Sequence, residues 1–187
     1  MKNALVLLAA VLLAGCGHQS DLPRLFAVPD ASLVDEMNRP VQLASNRGYV
    51  TVYDFIFTNC AGTCPMMTST MRRLTSKVDK DAKVRFVSIS VDPRRDTPEV
   101  LHKYAAKFRN DSRWAFLTGD ARTITHLSVD GFKLAAGTGS ATPDESILHS
   151  SKFAIADKDG FIREYYGALN DDAVDHVAAT VNDLARE

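Results

Sequence analysis

The stretch Tyr49–Phe57, "YVTVYDFIF", restricts the fold of this chain more than any other segment. Its residues are apolar almost throughout and mostly β-branched or aromatic, without the alternation of a strand that shows one face to water. Such a run reads as a central strand buried on both faces. Asp54 interrupts it. A carboxylate in that position needs a partner or a raised pKa, and the sequence does not name the partner.

The rest of the chain supplies the cover. Ala31–Val34 and Val41–Leu43 form two short strands around the polar turn "DEMNR". Met67, Met71, Leu74 and Val78 recur along one face of a helix. Lys83–Val91 is a second core strand. In "DTPEVLHKYAAKF" a helix starts with Thr97 as cap, Pro98 at its first position and Glu99 in its first turn. A short strand, Ala115–Leu117, and a short helix after Asp120 follow. Lys152–Ala156 and Phe161–Tyr166 flank "DKDG", a strong hairpin signal. Val174, Val177, Val181 and Leu184 give a closing amphipathic helix. Strands separated by helices imply parallel pairing, and the last hairpin adds an antiparallel element. The expected architecture is a thioredoxin-like α/β sandwich with an N-terminal β-hairpin and a long loop before the penultimate strand pair.

The N-terminus sets the compartment. Lys2 precedes an apolar stretch, Ala4–Ala14, that ends in small residues, the layout of a secretory signal. The stretch is too short to span a bilayer, which takes about 20 residues. Leu13-Ala14-Gly15-Cys16 resembles the lipobox of bacterial lipoproteins, in which cleavage precedes a cysteine that is then lipidated. Residues 1–15 are therefore expected to be a lipoprotein signal peptide, residues 16–24 a tether, and residues 25–187 one domain. The protein is expected outside the cytoplasm, anchored by lipid at the periplasmic face. With a net charge of −1, no basic field exists to attract nucleic acid.

Setting Cys16 aside leaves one pair of cysteines, in "FTNCAGTCP". Three residues separate Cys60 and Cys64, against two in the thioredoxin signature. The loop containing them leads into a helix N-terminus, where the dipole and free N–H groups favour a thiolate. Spacing allows either a disulfide or chelation, and chelation by two thiolates demands a further ligand.

"FTNCAGTCP", "VSISVDPRRDTPEVLHKYAAKF" and "LHSSKFAIADKDG" together resemble the successive motifs of the Sco/SenC family of copper chaperones. The resemblance extends from about Phe26 onward. It implies a copper site made by Cys60, Cys64 and His149, with one copper per monomer as Cu(I), Cu(II) or both. Thiolate and imidazole donors suit both oxidation states. It further implies delivery to the binuclear copper centre of cytochrome c oxidase, with that copper-centre subunit or another copper protein as recipient and a copper protein as donor. Leu148 stands where the family often has Asp, so whatever orients the imidazole must come from elsewhere.

Of the other histidines, His18 lies in the tether, His102 and His176 on solvated helix faces, and His126 in a short helix. Met66 and Met67 are expected to pack with Met71 or to rim a docking site rather than to bind metal. Asp92 either forms a strand-to-helix turn with Pro93 or stands close to the metal loop, while Asp96 is expected to help cap the following helix. Two other functions compete. Cys60 and Cys64 form a redox pair fit for a dedicated thiol–disulfide oxidoreductase. A peroxiredoxin-type peroxidase would use Cys64, but the upstream proline and threonine of that motif are absent.

Overall fold

The computed structural model describes residues 19–134 and 150–187. In chain order the strands are β1 (Phe26–Ala27), β2 (Ser32–Asp35), β3 (Pro40–Gln42), β4 (Val50–Ile56), β5 (Val84–Ser90), β6 (Trp114–Thr118), β7 (Lys152–Ala156) and β8 (Phe161–Gly167). The helices are α1 (Thr63–Lys77), α2 (Pro98–Phe108), α3 (Ala121–His126) and α4 (Ala173–Arg186). All eight strands join one sheet in the order β1-β8-β7-β4-β5-β6-β2-β3.

β4 is buried at every position, as its composition requires. It pairs in parallel with β5 and antiparallel with β7, and β6 extends the parallel set. The mixed sheet and its helices make the thioredoxin-like sandwich that the element order implies. Side chains alternate across β4. Val50, Val52 and Ile56 join Met67, Met71 and Leu74 of α1, Leu101 of α2 and Val177, Val181 and Leu184 of α4 in one core. Tyr53 and Phe55 join Leu33, Ile124, Leu127 and Phe132 in a second core on the other face.

Parallel pairing divides the sheet into two poles. β4, β5 and β6 all end at the same pole, so the cysteine loop after Ile56 and the turn after Ser90 lie side by side, bridged by Val91 N–H donating to the Ile56 carbonyl at 2.8 Å. β7 runs the other way, with Ala156 opposite Thr51. The turn between β7 and β8 therefore sits at the far pole. Gly160 there has φ +84°, the left-handed conformation that glycine adopts without strain.

Local chemistry sets several boundaries. Thr97 caps α2 by accepting from Val100 N–H, with Pro98 next, as expected. Asp120 caps α3 through Arg122 and Thr123 N–H. α3 runs on into a wider turn, Leu127–Gly131, which the sequence reading does not anticipate. The N-terminal hairpin is present and docks on β6, with Val34 opposite Thr118. β1, an edge strand too short to be read from sequence, pairs with the start of β8. The segment before it is clamped by Arg163. That guanidinium reaches Asp157 at 3.1 Å, Glu187 at 2.9 Å and the Leu22 carbonyl at 2.5 Å, while Ser20 N–H donates to Glu187 at 2.7 Å.

Candidate metal centre

β4 delivers the chain into a loop at the pole where α1 begins. Cys60 lies in that loop, half-buried, and Cys64 is the second residue of α1, 1% exposed. Gly62 is the helix N-cap and offers no side chain, so the first N–H groups of α1 remain available. The Cys60 sulfur takes one of them, accepting from Cys64 N–H at 3.5 Å. Both thiols are free.

The two thiols differ in ionisation. Burial acts to raise Cys60, but it is outweighed by hydrogen bonds from the Cys64, Gly62 and Thr63 backbone and from the Cys64 thiol, so its pKa lies below the ordinary thiol value. Cys64 is pushed up to about 12, first by burial and then by the neighbouring Cys60 and Asp54. The helix terminus thus favours the thiolate at one cysteine only. Iodoacetamide at pH 7 is expected to modify Cys60 at least about 100-fold faster than Cys64, read by peptide mass spectrometry. Equal rates would contradict this asymmetry.

A latch holds the loop. Asp96 is fully buried and accepts from Thr58 N–H at 3.0 Å, Thr58 Oγ1 at 2.5 Å and Ser90 Oγ at 2.6 Å. It therefore ties the residues just before Cys60 to the end of β5. The expectation that Asp96 helps cap α2 is corrected: Thr97 does that, and the Asp96 carboxylate turns inward. Asp92 lies at the same pole, its carboxylate 3.7 Å from Arg95.

Beneath the loop, Asp54 is completely buried on the α1 face of β4. Neither of its oxygens has a hydrogen bond of good geometry. The Ser88 hydroxyl, opposite it on β5, accepts from Trp114 Nε1 at 3.0 Å and keeps its own O–H for the carboxyl, which opposes the effect of burial. Burial raises the Asp54 pKa to about 7. Tyr104 roofs the same region, its hydroxyl 2.9 Å from Thr68 Oγ1, which in turn donates to the Cys64 carbonyl at 2.8 Å.

The remaining candidates separate clearly. Met67 and Met71 are core residues, whereas Met66 is 53% exposed beside Cys64. His102 is exposed, and exposed His126 lies 3.9 Å from Asp130. His176 is 39% exposed, and its ring also stacks on Tyr166 at 3.8 Å and meets Glu164 at 2.7 Å. These contacts arise because α4 lies against β8. Cys16, His18 and His149 lie outside the described residues. Among the described residues, no group of three or more histidines, cysteines or carboxylates is arranged to hold a metal ion.

The SCO1/SenC family profile matches residues 25–186. The chain belongs to the SCO1/SenC family. Three solved structures show the similarity in three dimensions. A SCO1/SenC family lipoprotein from Bacillus anthracis is 30% identical, with a TM-score of 0.75 over 86% of this chain and 95% of that one. BsSco, described as a member of the Sco family of cytochrome c oxidase assembly proteins with a disulfide switch, is 29% identical. Its TM-score is 0.76 over 89% of this chain and 97% of that one. Copper-bound ScoI of Bradyrhizobium japonicum is 25% identical, with a TM-score of 0.71 over 86% and 99%. Each of these matches to the SCO1/SenC chain spans most of its length and nearly all of the other protein.

Proposed function

We propose that this protein is a copper metallochaperone that binds one copper ion per monomer through Cys60, Cys64 and His149. It delivers that ion to the binuclear copper centre of cytochrome c oxidase. The supporting observation is the meeting of two chain segments at one pole. Lys152, the first residue of β7, stands beside the cysteine end of β4, and His149 precedes it by three positions. Three residues reach at most about 11 Å, so His149 stays within that distance of Lys152, which supports its convergence with the thiols at this pole. The copper bound to Bradyrhizobium japonicum ScoI supports the choice of metal.

The thiols take different parts. Cys60, with the lower pKa, meets the incoming ion as thiolate. Cys64 must release its proton to bind, which makes copper affinity rise with pH. Asp92, in the turn after β5 at the same pole, would be the carboxylate that influences the site from that side. Oxidation of the pair to a disulfide would remove two of three donors and release the ion, so loading requires the reduced form.

Anaerobic copper titration tests the assignment. Reduced wild type is expected to bind one copper, and Cys60→Ser, Cys64→Ser and His149→Ala each to weaken binding by at least about 100-fold. Undiminished binding in His149→Ala would remove the imidazole from the site.

The thiol asymmetry also favours a second activity, thiol–disulfide exchange on the recipient. Cys60 thiolate would attack a target disulfide, forming a mixed disulfide and expelling one target thiolate. Cys64, losing its proton, would then attack Cys60 sulfur and free the second target thiol. The target gains two electrons and the pair becomes a disulfide. Exchange that survives His149→Ala while copper binding fails would separate the two activities. A peroxidase built on Cys64 draws no support from a thiol held at about 12.

In this reading residues 1–15 are removed as a signal peptide and Cys16 carries the lipid that holds residues 25–187 at the periplasmic face. The lipoprotein description of the Bacillus anthracis relative supports the anchor. Among the described residues no helix is long and apolar enough to cross a membrane. A periplasmic copper protein acts as donor.

A further inference from the structure

We propose that the anchored domain stands on the bilayer by its Leu25–Phe26 edge, with the two thiols at the pole turned away from the lipid. The proposal rests on Cys16 being the lipid attachment site.

The first argument is the clamp. Ser20 is bound to Glu187, and Leu22 to Arg163, which is 4% exposed and itself fixed by Asp157 and Glu187. The chain is therefore part of the fold from Ser20 onward. Four residue steps separate Cys16 from Ser20 and reach at most about 14 Å. The anchor can move no further than that from this point of the domain.

The second argument is where the clamp sits. Arg163 is near the start of β8 and Asp157 follows the end of β7, and Ala156 faces Thr51 at the beginning of β4. The cysteine loop follows Ile56. The five steps of strand from Thr51 to Ile56 hold the two points about 17 Å apart.

The third argument is the surface near the tether. Among the described residues the exposed large apolar side chains are Leu25, Phe26, Met37, Met66 and Leu169. Leu25 and Phe26 are neighbours, 40% and 44% exposed, and follow the clamp directly. Lys133 Nζ lies 6.0 Å from the Phe26 ring, and the Arg24 guanidinium lies 5.0 Å over Phe161. Apolar side chains flanked by long cationic ones suit the headgroup boundary of a bilayer. Arg24 is also paired with Asp157 at 3.4 Å and Asp159 at 2.5 Å, so the contact depends on the apolar pair more than on charge. Met66 and Leu169, by contrast, belong to the thiol pole, one in the first turn of α1 and the other just past β8. They are left free to meet a protein.

The consequence is a constraint on the recipient. Strand and tether together set the thiols roughly 15–30 Å from the lipid surface. A copper-accepting site must project from the membrane by a comparable height to be reached.

Tryptophan quenching tests the orientation, because the single native tryptophan, Trp114, is buried at 1% exposure. Phe26→Trp and Met66→Trp each add an indole at one pole. On vesicles of phosphatidylethanolamine and phosphatidylglycerol with brominated acyl chains, the acylated Phe26→Trp protein is expected to be quenched and blue-shifted. Met66→Trp is expected to show neither change, and raised salt to leave the pattern intact. Quenching at Met66, equal quenching at both, or quenching at neither overturns the proposal. So does an edge that stays unquenched on pure lipid but is covered in native membranes, which would assign it to a protein partner. The same pair of variants carrying Cys60→Ser and Cys64→Ser can be coupled through Cys16 to a maleimide lipid, which tests the geometry whether or not the cell acylates Cys16. The mass of the N-terminal peptide reports acylation separately.

Discussion

Asp54→Asn is expected to remove a fall in stability of about 4 kcal/mol that the wild type shows between pH 4 and pH 8. The carboxyl is fully buried without a well-made hydrogen bond, and its pKa moves from 3.8 to about 7 in the folded protein. At about 1.4 kcal/mol per pH unit that difference amounts to about 4 kcal/mol. The sign follows from which state ionises first. Below pH 4 the group is protonated in both folded and unfolded chains and contributes nothing. As pH rises toward 7 the unfolded chain gains from ionising while the folded chain does not, so stability declines until the folded group also titrates. The amide cannot ionise, so the variant lacks this limb and overtakes wild type at pH 8. Its own buried amide still lacks partners, which holds the gain somewhat under the full amount. Urea unfolding midpoints across this pH range give the answer. An unchanged falling limb in the variant would show that another group carries the pH dependence.

Asp96→Ala is expected to cost about 3–5 kcal/mol and to loosen the cysteine loop at the same time. It strands three donors, Thr58 N–H and Oγ1, which are partly buried, and Ser90 Oγ, which is fully buried. Thr58 is two residues from Cys60, so the loss reaches the cysteine loop, and with it the proposed copper site, directly. Cys64, shielded in wild type, should become open to alkylation, and copper affinity should fall beyond what stability alone explains. Asp96→Asn keeps one acceptor oxygen and should recover part of both effects. Urea unfolding and alkylation of Cys64 are the two readouts. A cost under about 1 kcal/mol with Cys64 still shielded would mean the latch is unimportant.

What could be read from sequence follows how local each signal is. Tyr49–Phe57 announces a buried strand because nine consecutive residues agree, and Thr97-Pro98-Glu99 announces a helix start because cap, first position and first turn are adjacent. Asp159-Gly160 does the same for the last hairpin. The parts that escape depend on distant partners. β1 exists because Arg163, well over a hundred positions away, pins the segment before it. The inward turn of Asp96 depends on Thr58, 38 positions earlier, while Thr97 makes the cap without the help expected of Asp96. The N-terminal hairpin is legible as a hairpin, but its place on β6 is not, since a turn fixes only the strand beside it. Cys60 and Cys64 stand out by spacing, yet their unequal acidity arises from burial of one sulfur inside α1. His149 is singled out by its motif alone.

The borders of the sheet carry one more implication. β3 has three residues and opens on Pro40, which has no N–H to offer, and β1 has two. Proteins tethered to a membrane share a thin layer in which encounters between identical copies are frequent. At the β1 border only Phe161 and Ile162 of β8 are paired outward, so among the described residues Arg163–Gly167 forms the longer open edge. In the proposed lipid-anchored form, pairing between crowded copies would therefore be confined to that stretch of β8, while the β3 border stays closed by its brevity and by Pro40.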